Sequence, residues 1–190
     1  MNNKIIYKIK EITIDELLKY YNPNVVYNYC KQCPDYNKFW SCPTFNFNEK
    51  EYIKKYTYAY IISAKLYIKE TYSNNDGSQN DINIYYNSLR KIFDKKLLEL
   101  EKNYENTVSL FAGRCYICEK CSKILNKPCI HTDYMRYSLE SLGIEVTKIV
   151  EDILNDKILW SQYSTQEYIL LIGALLSKHN IALEHTNIFK

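Results

Sequence analysis

A chain of 190 residues has room for one domain with its own hydrophobic core, and an apolar content of 46% supplies that core. The formal net charge is only +3 and its charges are scattered, which argues against a nucleic-acid stripe or an acidic-substrate funnel. No run of about 18 apolar residues is present, so no membrane span is expected, and the opening Met1-Asn2-Asn3-Lys4 has no export-signal core. The expectation is a single cytoplasmic domain over residues 1–190.

Taken in chain order, Ile5 to Ile12 alternates in part and reads as a strand. Thr13 then caps a short helix, with Glu16 completing a capping box. Leu17, Leu18 and Tyr21 form its apolar side, and Pro23 is expected to stop it. Glu49 to Tyr56 reads as a short helix. Tyr58 to Ile68 follows, rich in β-branched and aromatic residues, as a central strand. Ser73 to Asp81, with its Asn, Asp and Gly, reads as a surface loop. Asp81 to Asn103 carries Tyr85, Leu89, Ile92, Phe93, Leu97 and Leu100 at helical steps, with Lys91, Lys95, Glu99 and Lys102 outside that face.

Thr107 to Ala112 reads as a strand ending at Gly113. Cys121 to Leu125 reads as one helical turn. Asp133 to Leu142 is expected to be a helix closed by Gly143, and Val146 to Leu154 another. Glu167 to Leu176 suits a strand or a buried helix, and its shortness favours the strand. The order predicts an α+β fold, with a three- or four-stranded sheet packed with helices. The cysteine-bearing loops are expected to gather at one end.

The seven cysteines carry the chemistry. Seven thiols without an export signal point to a reducing compartment and to ligands, not to a disulfide framework. Cys115, Cys118 and Cys121 stand at C-x2-C-x2-C spacing, with Cys129 following after seven residues. Two-residue gaps let the backbone curl around one cubane, so that successive thiolates reach successive irons, as in the ligand run of bacterial ferredoxins. A lone C-x2-C would fit zinc equally well; the third cysteine at the same step favours iron–sulfur. Cys30 and Cys33 form another C-x2-C pair. Cys42 follows after eight residues, with Pro43 after it as ferredoxins place a proline after an outlying ligand. Phe39 and Trp40 are candidates to shield a cluster from water or simply to fill the core. Glu140 reads as a solvated helix position or a donor to the site.

These residues resemble a family of predicted metal-binding proteins, domain of unknown function 2284, found in anaerobic bacteria and archaea. The likeness rests on C-x2-C followed by Trp40-Ser41-Cys42-Pro43, on Gly113-Arg114-Cys115 to Cys121, and on Cys129-Ile130-His131. It continues through Ser138-Leu139-Glu140 and Gly143-Ile144-Glu145-Val146. The family usually has a proline where this chain has Thr44, and another where it has Thr132. Those departures touch loop shape and leave the thiols intact. The resemblance implies cysteine-bound metal and supplies no reaction.

A four-iron cubane needs four ligands, and either Cys129 or Cys42 completes the first trio. If Cys129 does, then Cys30, Cys33 and Cys42 remain for a second cluster with one iron open to substrate, or capped by His131, a carboxylate or water. Arg114 is a candidate to offset cluster charge. One or two [4Fe-4S] clusters are expected, with zinc as the alternative metal. The expected role is electron transfer or redox work in anaerobic metabolism, with an open-iron enzyme and a zinc-stabilised binding module as alternatives. A redox protein or a small molecule would be the partner. No Gly-rich phosphate loop, catalytic triad or H-E-x-x-H helix is present, and neither nucleic acid nor membrane is an expected partner.

Overall fold

A computed structural model describes residues 4–68, 79–159, 167–183 and 188–189. Of the expected loop at Ser73 to Asp81, residues 73–78 lie outside them, while 79–81 are the start of a helix. The described elements are β1 (Ile5–Thr13), α1 (Ile14–Leu18), α2 (Pro23–Gln32), α3 (Glu49–Ile53), β2 (Tyr58–Tyr67), α4 (Gln79–Asn103), β3 (Thr107–Leu110), α5 (Val146–Asp152) and β4 (Tyr168–Ser177), with a 3-10 turn at Ser122–Leu125. The strands form one antiparallel sheet in the order β1-β2-β4-β3. The α+β class and the four-stranded option are therefore correct. The apolar run ending at Leu176 is a strand.

The two inner strands are buried on both faces, and their side chains alternate between two cores. Ala59, Ile61, Ile172, Ala174 and Leu176 pack on one face with Leu17, Ile53, Leu139, Ile149 and Val150. Tyr60, Ile62, Ala64, Leu171 and Leu175 pack on the other with Leu89, Phe93, Leu97 and Leu100 of α4. Gly173 lets α4 lie this close: a Cβ there would stand 2.7 Å from Leu97 Cδ1 and 2.8 Å from the Leu110 carbonyl oxygen. Ile92, expected on the packing face, is exposed. It lies beside Phe93 in sequence, about 100° round the helix from the buried stripe. In its place Arg90 and Asp94 turn inward.

At the N-terminus the Thr13 hydroxyl accepts from the Glu16 amide, and Glu16 accepts from the Thr13 amide at 2.7 Å. Pro23 does not merely end what precedes it. It is the first residue of α2, where its missing N–H costs nothing and its fixed φ suits a helix. Cys30 consequently sits on the last turn of α2, not on a loop.

The expected helix at Asp133 to Leu142 is absent, and turns replace it. Ser138 and Ser141 explain this. The Ser138 amide donates to Ser141 Oγ at 2.9 Å, and the Ser141 amide donates to Ser138 Oγ at 3.1 Å. Hydroxyls that capture amides this way compete with helical hydrogen bonding. Gly143 closes the turn with a φ of 81°, a backbone conformation that suits glycine. The Gly143 carbonyl accepts from the Asn22 amide at 2.8 Å, docking the turn on the start of α2.

Candidate metal centre

Strand β3 runs out through Phe111 and Gly113 into the 115–129 segment. Phe39, Trp40, Cys115, Ile117, Cys118, Cys121, Ser122, Cys129, His131 and Met135 line one cavity of about 10 Å³. Four cysteines thus share one small chamber, and Cys42 is not among its walls. The chamber is water-sized as it stands, while Tyr116 and Ile117 on its outer loop are exposed.

Cys30, Cys33 and Cys42 form the other group. They act on one another electrostatically: Cys33 acts on Cys30, and both act on Cys42. Burial pushes the Cys30 and Cys42 thiols up to about 11. In the first group burial does the same to Cys115, to about 11, and raises Cys118 as well. Thiols this poorly solvated hold their protons at neutral pH unless a cation replaces them. A soft metal with thiolate preference is the chemistry such donors fit. Among the described residues, no three His, Cys, Asp or Glu side chains converge closely enough to hold one metal ion.

The loops bearing the two groups are stitched together. The Cys115 amide donates to the fully buried Ser41 hydroxyl at 2.8 Å. Trp40 Nε1 donates to the Lys127 carbonyl at 3.1 Å and to Ser122 Oγ at 3.3 Å. Trp40 therefore closes the chamber of the first group as well as filling space. Arg114 is not a free surface residue. Its guanidinium lies 4.3 Å from the Phe39 ring centre and 4.0 Å from that of Tyr116, and it pairs with Asp35 at 2.7 Å.

Two cations that motif reading missed stand at this junction. Lys123 Nζ donates to the Phe39 carbonyl at 3.2 Å and the Cys42 carbonyl at 3.1 Å. Burial pulls its pKa down, while Cys42 and Cys121 pull it up. Arg90 is wholly buried; its Nη2 donates to Asp94 at 2.8 Å and to the Arg114 carbonyl at 2.9 Å, fixing the entry to the cysteine run.

Glu140 was also missed as a buried group. As a residue it is half-buried, but its Oε2 is shielded from solvent and has no hydrogen-bond partner among the described residues. Burial raises its pKa, against hydrogen bonds to its own backbone and Ser138. It borders a cavity of about 390 Å³ with Tyr86 and Gly113, and another of about 750 Å³ with Cys30, Val26 and Ile144. His131, by contrast, is exposed and lies at the chamber of the first group.

A four-stranded α+β scaffold carrying seven free cysteines on adjoining segments, six of them half-buried and Cys33 exposed, defines a cysteine-rich protein. The model of the predicted metal-binding protein family DUF2284 matches residues 19–176, so the chain belongs to that family. No curated protein and no solved structure gives a significant match. No helix among the described residues is long and apolar enough to cross a membrane.

Proposed function

We propose that this chain is an iron–sulfur protein with a redox or electron-transfer role in anaerobic metabolism. Cys115, Cys118, Cys121 and Cys129 would hold one [4Fe-4S] cluster, and Cys30, Cys33 and Cys42 a second. The observation that carries the reading is the common lining of one chamber by the four cysteines at C-x2-C-x2-C spacing. A cubane asks each thiolate to reach its own iron, so its ligands surround a space instead of meeting at a point. When bound, such clusters supply one-electron transfer.

The chain's own residues serve that task in identifiable ways. Phe39, Trp40 and Met135 keep water from the first group of thiols. Lys123 and Arg114 bring positive charge to where thiolate-bound clusters carry negative charge. Ser41 holds the Cys115 amide and so fixes the first ligand's backbone relative to Cys42. In this reading the chain works as one domain in the cytoplasm, where thiols stay reduced, with a redox protein as its partner. A second reading is an enzyme with one open iron. Three cysteines in the second group and the cavity of about 750 Å³ beside Cys30 favour it, since an open ligand position marks reactive sites.

The test is anaerobic purification, with iron, acid-labile sulfide and zinc measured on the same sample for the wild type, Cys118→Ser and Cys33→Ser. The expected wild type is brown, with iron and sulfide in equal amounts, and each variant loses one cluster's share. A colourless protein holding zinc without sulfide, and unfolding in chelator, establishes a zinc-stabilised module instead.

A further inference from the structure

We propose that the 116–134 segment, with Lys38 beside it, is the docking surface for a small acidic electron-carrier protein. The inference rests on the redox reading of the chain and gives its partner a place and a charge. Six of the twelve large apolar residues that stand exposed among the described ones lie in this one stretch: Tyr116, Ile117, Ile124, Leu125, Ile130 and Tyr134. Leu125 and Ile130 are 68% and 70% exposed, so most of each side chain meets water. Single exposed apolar residues are ordinary on a protein surface, whereas a concentration of them marks an interaction site.

The six stand around one feature. Ile117 is itself a wall of the chamber that Cys115, Cys118, Cys121 and Cys129 share. Tyr116 lies between Cys115 and Ile117, Ile130 between Cys129 and His131, and Tyr134 beside Met135, and each of those flanking residues lines the same chamber. Ile124 and Leu125 belong to the 3-10 turn that follows Cys121. That turn is held, not frayed. The Asn126 amide donates to the Lys123 carbonyl at 2.9 Å, the Lys127 amide to the Ser122 carbonyl at 3.1 Å, and Ser122 Oγ to the Pro128 carbonyl at 2.7 Å. The exposure of Ile124 and Leu125 is therefore built into the folded turn.

Charge selects the occupant. Lys38, Lys120 and Lys127 are exposed, and Lys38 and Lys120 directly adjoin the chamber residues Phe39 and Cys121. Lys123 adds a half-buried cation at the junction of the two cysteine segments. Against these stand the exposed acids Glu119 and Asp133, while Asp35 is engaged by Arg114 at 2.7 Å. The balance on this face is positive. A second copy of the chain would set lysine against lysine. An anionic membrane would repel the two acids interleaved with the lysines. Mixed signs around an apolar centre suit a protein face with its own pattern of acids. Electron-transfer encounters are among the smallest protein interfaces, so a patch built on one loop suffices. The step is the passage of one electron from the reduced carrier to the chain's metal centre, with no bond made or broken.

The experiment uses the full chain purified anaerobically. The probe is flavodoxin, an acidic carrier whose flavin colour separates from iron–sulfur absorbance; phosphatidylglycerol vesicles are the counter-probe. Calorimetry reads binding, and rapid mixing with reduced flavodoxin reads electron transfer. The wild type is expected to bind flavodoxin, with affinity and rate falling as salt rises. K120E/K127E should slow transfer about tenfold at low salt and flatten its salt dependence. I124S/L125S should weaken binding about tenfold and keep the salt dependence. Both should retain wild-type iron, sulfide and reduction by dithionite, and the single variants K127E and L125S carry the test should a double variant not fold. If dithionite reduces the chain but flavodoxin neither binds nor reduces it, or treats all variants alike, the docking surface is refuted and the iron–sulfur reading stands. Binding to the vesicles in place of flavodoxin, or a dimer that I124S/L125S dissolves, refutes it equally. A preparation without iron and sulfide removes the redox reading itself, and this partner with it.

Discussion

Replacing Glu101 with alanine tests how the 131–138 segment, which follows Cys129, is tied to the sheet. Arg136 grips Glu101 with two bonds, Nε to Oε2 at 2.8 Å and Nη2 to Oε1 at 2.6 Å. The Ser109 amide and hydroxyl add bonds to Oε2 at 2.7 and 2.6 Å. One carboxylate on α4 thus joins β3 to the segment beyond the cysteines. The two side chains are 17% and 15% exposed, so the pair is largely removed from water. Deleting one partner leaves Arg136 with only its Nη1 bond to the Met135 carbonyl among those described. Breaking a buried pair this way costs about 3–5 kcal/mol. For a chain of this size that lowers Tm by about 6–20 °C.

The pH dependence has a definite sign. Burial alone would raise the Glu101 pKa, but the bonds from Arg136 and Ser109 outweigh it and hold the carboxyl below its ordinary value. Its stabilisation is therefore complete above the unfolded value of about 4.3 and is lost as pH falls through the lower folded value. The assay is urea unfolding with reductant and chelator present, so that metal linkage does not mask the loss. Wild type, E101A, E101Q, R136M and the E101Q/R136M double variant give the coupling energy directly. The gap between wild type and E101Q should narrow in acid. An E101A midpoint within about 0.5 kcal/mol of wild type would refute the clamp.

Gly173→Ala should destabilise by about 1–3 kcal/mol, because its Cβ would meet the Leu110 carbonyl oxygen as well as the movable Leu97 methyl; an unchanged thermal midpoint contradicts this. Asp94 gives the opposite pH slope to Glu101. Burial pushes its carboxyl up to about 6 against the pull of Arg90, so stability falls as pH rises from about 4 towards 6, while the unfolded chain gives up a proton that the folded chain keeps. Urea midpoints across that range should slope downward for the wild type and flatten for Asp94→Asn.

Elements with a strong local pattern were readable from residues alone. The Thr13 and Glu16 capping box, the apolar stripe of α4 and the β-branched run of β2 each state their structure within a few residues. The spacing of Cys115, Cys118 and Cys121 grouped those three, which lie within a short stretch, and left Cys129 or Cys42 open as a fourth; Cys129 borders the same small cavity as the three. Pro23 misled because proline suits the first turn of a helix as well as the end of one. The 133–142 segment misled because its apolar spacing mimics a helix, while Ser138 and Ser141 hold their own backbone in turns. Such hydroxyl pairs at i, i+3 before a glycine were the available clue.

Ser41 and Lys123 were illegible at the cysteine segments because nothing local marks them. Ser41 acts on a backbone amide 74 positions away, and Lys123 on a carbonyl 81 positions away. Burial of one carboxylate oxygen follows from how α2 meets a turn more than a hundred residues later. These contacts also couple the two thiol groups mechanically. Lys123, on the turn after Cys121, donates to the Cys42 carbonyl, and Ser41 precedes Cys42 while holding the amide of Cys115. The 115–121 loop is thereby joined to the segment of the second group by the bond from the Cys115 amide to Ser41 and by the bond from Lys123 to the Cys42 carbonyl. The sheet is packed into a core on each face, while the two cysteine segments are tied to each other by hydrogen bonds outside it.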